Sequence, residues 1–354
     1  MKKIKNYSIF LVLILTALAC KETKKEEMKS TEAVTENTAG SDISSKFSIE
    51  IIDDRALNLL DPKAKIKVLA SGFEWTEGPL WIEDGQYLLF SDIPNNKVYK
   101  LDSKNDTTTY LHPSGYTKGN FTGAEPGSNG LLLSPEGDLV LMQHGERRVG
   151  KMKVALDSPD EDYAVVVDQY KGKQFNSPND GVFDELGNLY FTDPPYGLPG
   201  QMEDQNKELD FQGVYCLLNT GELLLVDAEI KFPNGIGLSS DGRVLYVAES
   251  NPEKAVWYGY DLMAPGRAKN KRILTNATHL VSQEGQQGLP DGLKVHSNGT
   301  IFATGPGGVW VLAPNGETLA RIYTGQKTAN CALTTDEKTL FMTADDYILS
   351  VDLK

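Results

Sequence analysis

The sequence predicts an all-β fold, a six-bladed β-propeller whose ring is closed by an N-terminal strand that completes the last blade. Three observations lead there. One motif recurs six times at intervals the length of a blade. Helical periodicity is nearly absent between the copies. A lone strand-like run precedes the first copy, and the last copy is a strand short.

The motif is a polar residue, usually a glycine, an apolar run, a hairpin-like turn and a second apolar run. Its copies begin at Glu77 (EGPLWIEDGQYLLFSD), Asn129 (NGLLLSPEGDLVLMQH), Asn179 (NDGVFDELGNLYFTD), Asn234 (NGIGLSSDGRVLYVAE), Asp291 (DGLKVHSNGTIFATG) and Asn330 (NCALTTDEKTLFMTA). In the first five, a glycine stands eight residues after the leader: Gly85, Gly137, Gly187, Gly242 and Gly299. Lys338 holds that place in the sixth. Successive leaders lie 52, 50, 55, 57 and 39 residues apart, which suits four short strands with their turns. After Asn330 the chain supplies roughly three strands. The run IKVLA at 66–70 is therefore expected to pair as the fourth, leaving no open edge.

Residues 1–19 read as a secretory signal: MKKIKNYS is basic, IFLVLILTALA is apolar, and small residues precede Cys20. ALAC resembles a bacterial lipobox, with Ala17 where Leu is usual, so Cys20 is the expected lipidation site. The plainer alternative is an ordinary signal with an incidental cysteine. The apolar run is too short for a comfortable transmembrane helix. Residues 20–46 contain no aromatic residue and almost no large aliphatic, and are expected to be a disordered tether. The propeller then spans 47–354. The protein is expected to be exported, as a periplasmic or surface lipoprotein of the cell envelope that touches the membrane only through its lipid.

The formal charge is −14, and it grows more negative if Lys2, Lys3 and Lys5 leave with the signal. Such an acidic surface argues against nucleic acid as a partner. Beyond Cys20 only Cys216 and Cys331 remain, both in apolar runs, and they read as buried thiols rather than a disulfide framework. No zinc-type Cys–His spacing occurs.

In a propeller the equivalent point of every innermost strand faces the axis, so the six leaders are expected to converge. Asn, Asp and Gly could be turn formers with no further role, but Glu77 is a poor turn residue. An oxygen-only set with two carboxylates suits Ca²⁺ or Mg²⁺ rather than a soft metal. The ends of the second strands return to the same face, bringing Asp92, His144, Asp193, Glu249 and Ser250. His144, in MQHGERR, is placed for proton transfer, or is a surface or supporting histidine. Tyr196, in DPPYG, lines the mouth or is a packed aromatic.

EGP at Glu77, NSPND before Gly181, FTDPPYG, FPNG before Ile236, LYVAES and LPDG before Leu293 closely resemble the SMP-30/gluconolactonase family, from about Gly72 to the C-terminus. The resemblance implies a calcium-dependent six-bladed propeller that hydrolyses lactones. It implies Glu77, Asn179, Asn234 and Asp291 as metal ligands, and Asp291 as the base or nucleophile. It places Asn129 and His144 at the substrate pocket, and Asn330 beside the metal rather than on it. Asp180 becomes a turn or supporting residue. It falls where other copies mostly carry Gly, and reads as an extra residue before Gly181. Ca²⁺ is the expected cofactor, with Mg²⁺, Mn²⁺ or Zn²⁺ as alternatives. A small-molecule lactone of sugar type is the expected substrate. Aryl esters or phosphotriesters on the same site, or a non-catalytic metal-stabilised binding propeller, are the other readings. No Gly-x-Ser-x-Gly elbow supports a serine nucleophile.

Overall fold

The computed structural model describes residues 43–354. The expected signal, Cys20 and most of the expected tether lie outside those residues. Ile43–Lys46, at the end of the expected tether, forms one 3-10 turn that leads into the first strand.

Six four-stranded antiparallel units follow in chain order around an axis, and in each the motif's first apolar run is the innermost strand. The blades begin with Thr76–Ile82, Ser128–Leu133, Gly181–Phe183, Pro233–Leu238, Leu293–Val295 and Thr328–Leu333, and are called blades I to VI here. Closure is as expected. Lys67–Ser71 pairs antiparallel with Tyr347–Asp352, with Lys67 opposite Ser350, and so supplies the outer strand of blade VI. An element the sequence reading did not contain precedes it. Ser48–Ile51 pairs with Thr318–Tyr323 and adds a fifth strand to blade V. Ala56, Leu59 and Leu60 then bury themselves between blades V and VI.

The core is divided among the junctions. One hydrophobic cluster fills each contact between neighbouring blades, as where Leu89 and Val98 of blade I meet Leu131 and Leu141 of blade II. Trp257 of blade IV meets Trp310 of blade V in the same way. Each fully buried large side chain contributes about 1.5–3 kcal/mol, so the ring is held by its radial seams and its axis is left to polar groups. Cys216 and Cys331 are both buried and unpaired, inside two of these seams.

Polar contacts across the seams set the height of each inner strand. Ser91 Oγ donates to Asn129 O at 2.8 Å, Thr192 Oγ1 to Asn234 O at 2.7 Å and Thr304 Oγ1 to Ala329 O at 2.8 Å. The glycine that follows four of the six leaders serves the same approach. A Cβ on Gly78 would lie 2.1 Å from Asn129 O, and one on Gly235 would lie 2.1 Å from Asp291 O. These glycines recur because the next blade's backbone occupies the space of a side chain.

Candidate active site

The leaders are not in hairpin turns. Glu77, Asn129, Asn234 and Asn330 lie within inner strands, each at a break in ladder register. A bulge re-aims a side chain that regular pleating would send into a blade face, and here the side chains are turned toward the axis. Asn179 and Asp291 stand just ahead of their strands, tied by Asn179 N–H to Thr192 O at 2.9 Å and Asp291 N–H to Thr304 O at 3.1 Å.

A cavity of about 590 Å³ opens at this end of the axis. Glu77, Asn129, Asn179, Asn234 and Asp291 form its floor and Tyr196 part of its wall, with the Tyr196 ring stacked on Phe232 at 6.2 Å. Asp180 and Asn330 are buried within contact distance of that floor: Asn330 Nδ2 donates to Glu77 Oε2 at 3.3 Å and to Asp180 Oδ2 at 3.4 Å. Asn330 therefore turns its amide nitrogen toward the carboxylates, while its oxygen accepts from Cys331 N–H. His144 is not on the cavity wall. It is fully buried behind Asn179 and reaches the cavity only through its neighbours.

Asp180 is not an extra residue. The spacing from Asn179 to Gly187 equals that in the other copies, so Asp180 replaces the glycine. Its Oδ1 accepts from Gly181 N–H at 2.8 Å, and its carboxylate adds a further negative charge to the floor.

Three buried oxygens here have no hydrogen-bond partner among the described residues: Asn129 Oδ1, Asn179 Oδ1 and Asp291 Oδ1. An orphaned buried acceptor costs about 1–3 kcal/mol, and three from three blades at one floor call for a shared partner. The amide groups are oriented for it. Asn234 Nδ2 donates to Ser250 Oγ at 2.9 Å, and Ser250 Oγ donates in turn to Pro290 O. That leaves Asn234 Oδ1 for the cavity. Burial, and then the charges of Glu77, Asp180 and Glu125, raise the Asp291 carboxyl well above its ordinary range. Burial, with the Asp180 charge also opposing ionisation, pushes Glu77 up to about 8. Among the described residues no three His, Cys, Asp or Glu side chains form a metal centre by themselves. A cation here therefore depends on the amide oxygens, and the set of hard oxygens fits one.

The other second-strand ends have a different task. Asp193 accepts from Asn176 N–H at 2.9 Å and Ser177 N–H at 2.7 Å, which fixes the turn before Asn179. Asp92 makes longer contacts to the Glu74 and Trp75 N–H groups, and Glu249 one to Lys231 N–H. These carboxylates tether the loops that carry the leaders. The sequence reading did not contain Glu125, Trp75, Gln283 or Lys327, which also line the cavity. They lie in connections outside the repeat, and only the closeness of Glu125 to Asn129 in the chain could have drawn attention to it.

Residues 75–346 match the family model described as the SMP-30/Gluconolactonase/LRE-like region. A gluconolactonase of Zymomonas mobilis is 38% identical over 333 residues, covering 92% of this chain and 90% of that protein. Diisopropyl-fluorophosphatase of Loligo vulgaris is 26% identical over 288 residues, 75% of this chain and 84% of that one. Among solved structures, a gluconolactonase from Xanthomonas campestris superposes with a TM-score of 0.74 at 25% identity, covering 87% of this chain and 95% of its own.

Proposed function

The chain belongs to the SMP-30/gluconolactonase/LRE-like family, and from that premise we propose that it is a metal-dependent hydrolase of lactones of sugar type. The observation that carries the metal dependence is the set of unpartnered buried oxygens on Asn129, Asn179 and Asp291 beside Glu77. Glu77, Asn179, Asn234 and Asp291 would hold the cation, with Asn129 at its edge toward substrate. Ca²⁺ suits this all-oxygen set best. When bound, the cation supplies polarisation of the lactone carbonyl and stabilises the developing oxyanion.

The chain's own residues do the rest. Without a cation, burial and neighbouring carboxylates raise the affinity of Asp291 for a proton. Asp291 takes the proton of the attacking water and returns it to the ring oxygen as the C–O bond breaks, or it attacks the carbonyl carbon itself to form a mixed anhydride that water then hydrolyses; either route ends in the hydroxy acid. Ser250 holds the Asn234 amide in orientation. Tyr196, Trp75 and Ile93 line the cavity and give it an apolar wall. Upstream, Cys20 carries a lipid that tethers the exported enzyme to the cell envelope. Retention of Cys20→Ser in the membrane fraction would remove that part.

The similarity to a fluorophosphatase gives a second reading, a phosphotriester substrate on the same floor. A panel of gluconolactone, an aryl ester and a diisopropyl fluorophosphate-type triester, assayed with one purified preparation, separates the two. The lactone reading expects the highest kcat/KM on gluconolactone. Turnover of the triester alone would replace it with the second reading. Binding of Ca²⁺ with no turnover of any of them would leave a metal-stabilised binding propeller.

A further inference from the structure

Blade II departs from its siblings at one register position. At the end of the second strand, blades I, III and IV carry Asp92, Asp193 and Glu249, each accepting backbone N–H groups from the loop that leads into its own blade. Blade II carries Gln143 there, which donates to Ser114 O at 2.8 Å, and the next residue, His144, is tied by its N–H to Gly127 O as Ile93 is to Trp75 O and Ser250 to Phe232 O. An ionised carboxylate only accepts, whereas a neutral imidazole donates from one nitrogen and accepts at the other.

His144 makes both kinds of contact. Nδ1 lies 2.8 Å from Glu125 Oε2, and Nε2 lies 3.5 Å from Asn179 Nδ2. The second contact, at 3.5 Å, stands at the outer limit of a hydrogen bond. The ring is fully buried, whereas the Glu125 side chain is 27% exposed and lies on the cavity wall.

For a neutral ring the chemistry of these partners fixes a single arrangement. A carboxylate cannot donate, so Glu125 requires Nδ1–H. A neutral ring with Nδ1–H has a bare Nε2, which is an acceptor. Asn179 must then present its NH₂ to the ring, which turns Oδ1 to the cavity floor, where it has no other partner. In a neutral ring the opposite amide orientation would need Nε2–H and would leave Nδ1 bare against the carboxylate. Asn234 is oriented by the same logic with a hydroxyl in place of the ring.

We propose that Glu125, His144 and Asn179 form a positioning relay in which His144 acts through Asn179 on the cation, rather than on the substrate. The relay rests on the metal site proposed above, with Asn179 as a ligand. It joins a wall of the substrate cavity to one of the ligands. Partners that orient a metal ligand are typically worth about 10–100-fold in affinity.

Two readouts on the intact exported protein test it. The first is the tautomer of His144 by ¹⁵N NMR, assigned by comparison with His144→Gln. The relay expects Nδ1 protonated and Nε2 bare with or without Ca²⁺, and Glu125→Leu should move the population toward Nε2–H. A wild-type ring with Nε2 protonated overturns the relay. The second is Ca²⁺ affinity by titration calorimetry. His144→Leu should bind about 10–100-fold more weakly, while His144→Gln, whose side-chain oxygen can accept from Asn179, should recover most of the loss. If Leu binds Ca²⁺ as the wild type does, or if Gln binds no better than a well-folded Leu variant, the relay is wrong. If the wild type binds no Ca²⁺, the metal site falls and the relay's action on a cation falls with it, whatever the tautomer; a wild type that binds Ca²⁺ with Nε2 protonated overturns the relay alone.

Discussion

The two ends of the propeller's inner strands are built from the same repeat and behave differently. At the end away from the site, the copies keep one turn. Gly137 N–H bonds to Ser134 O at 2.9 Å, Gly187 to Asp184 O at 3.0 Å, Gly242 to Ser239 O at 2.8 Å and Gly299 to His296 O at 2.8 Å. Those glycines have φ of 86°, 81°, 68° and 89°. In the first and sixth copies Gln86 and Glu337 take the left-handed position instead. At the axial end four leaders lie within strands at register breaks and two stand just ahead of theirs, the side chains are Glu, Asn, Asn, Asn, Asp and Asn, and their surroundings differ blade by blade. One end repeats chemistry because it makes the fold. The other diversifies chemistry at a repeated position because it makes one shared floor.

The sharpest way to break that contrast is at Asp291. Asp291→Asn keeps the shape and removes the base, and should lower kcat/KM on lactones by about 10³-fold or more, while the melting temperature without metal holds or rises as a crowded buried carboxylate disappears. A variant that loses activity and fold together would make the axial end structural as well. Next come the amide ligands. Asn179→Ala and Asn234→Ala should each weaken Ca²⁺ binding at least about tenfold by calorimetry, with Ser250→Ala at the lower end of a 10–100-fold range.

The third test uses pH. In the metal-free folded protein Glu77 holds its proton up to about 8, against an ordinary value of 4.5. The folded state therefore binds more protons than the unfolded chain across that window. Its contribution to stability is complete below 4.5 and is lost as pH rises through about 8. The metal-free melting temperature should fall over that range, and the increment that Ca²⁺ adds should grow, because cation and proton compete for one carboxylate. A Ca²⁺ increment that shrinks as pH rises would contradict the assignment. The smallest effect belongs to the far end. Gly242 has open space where a Cβ would go, so Gly242→Ala should cost only the left-handed backbone term, about 1–2 kcal/mol. Its kcat/KM should stay within about twofold of wild type, since surface changes remote from a site rarely reach it.

The same contrast explains what could be read from the chain. The blades were legible because the repeat imposes one spacing and one alternation, and IKVLA was legible as a closing strand because the last blade lacked one. Ser48–Ile51 was not, because four residues carry too little pattern and their pairing depends on an edge in blade V. The floor was legible as a set of leaders. The tasks of Asp92, Asp193 and Glu249 were not, because a carboxylate aimed at loop N–H groups and one aimed at a cavity have the same sequence register. Asp180 read as an insertion until the equal spacing to Gly187 showed it in a glycine's place. Burial is what separates His144 from the cavity wall, and Glu125 lies outside the repeat altogether.

The central claim is that the axial ends of these strands form one cation-dependent lactonase floor. Its most direct measurement is gluconolactone hydrolysis by protein stripped with chelator and then titrated with Ca²⁺. The expected result is loss of activity on stripping and its saturable return in parallel with stoichiometric Ca²⁺ binding. Undiminished hydrolysis by the fully stripped protein would contradict the claim.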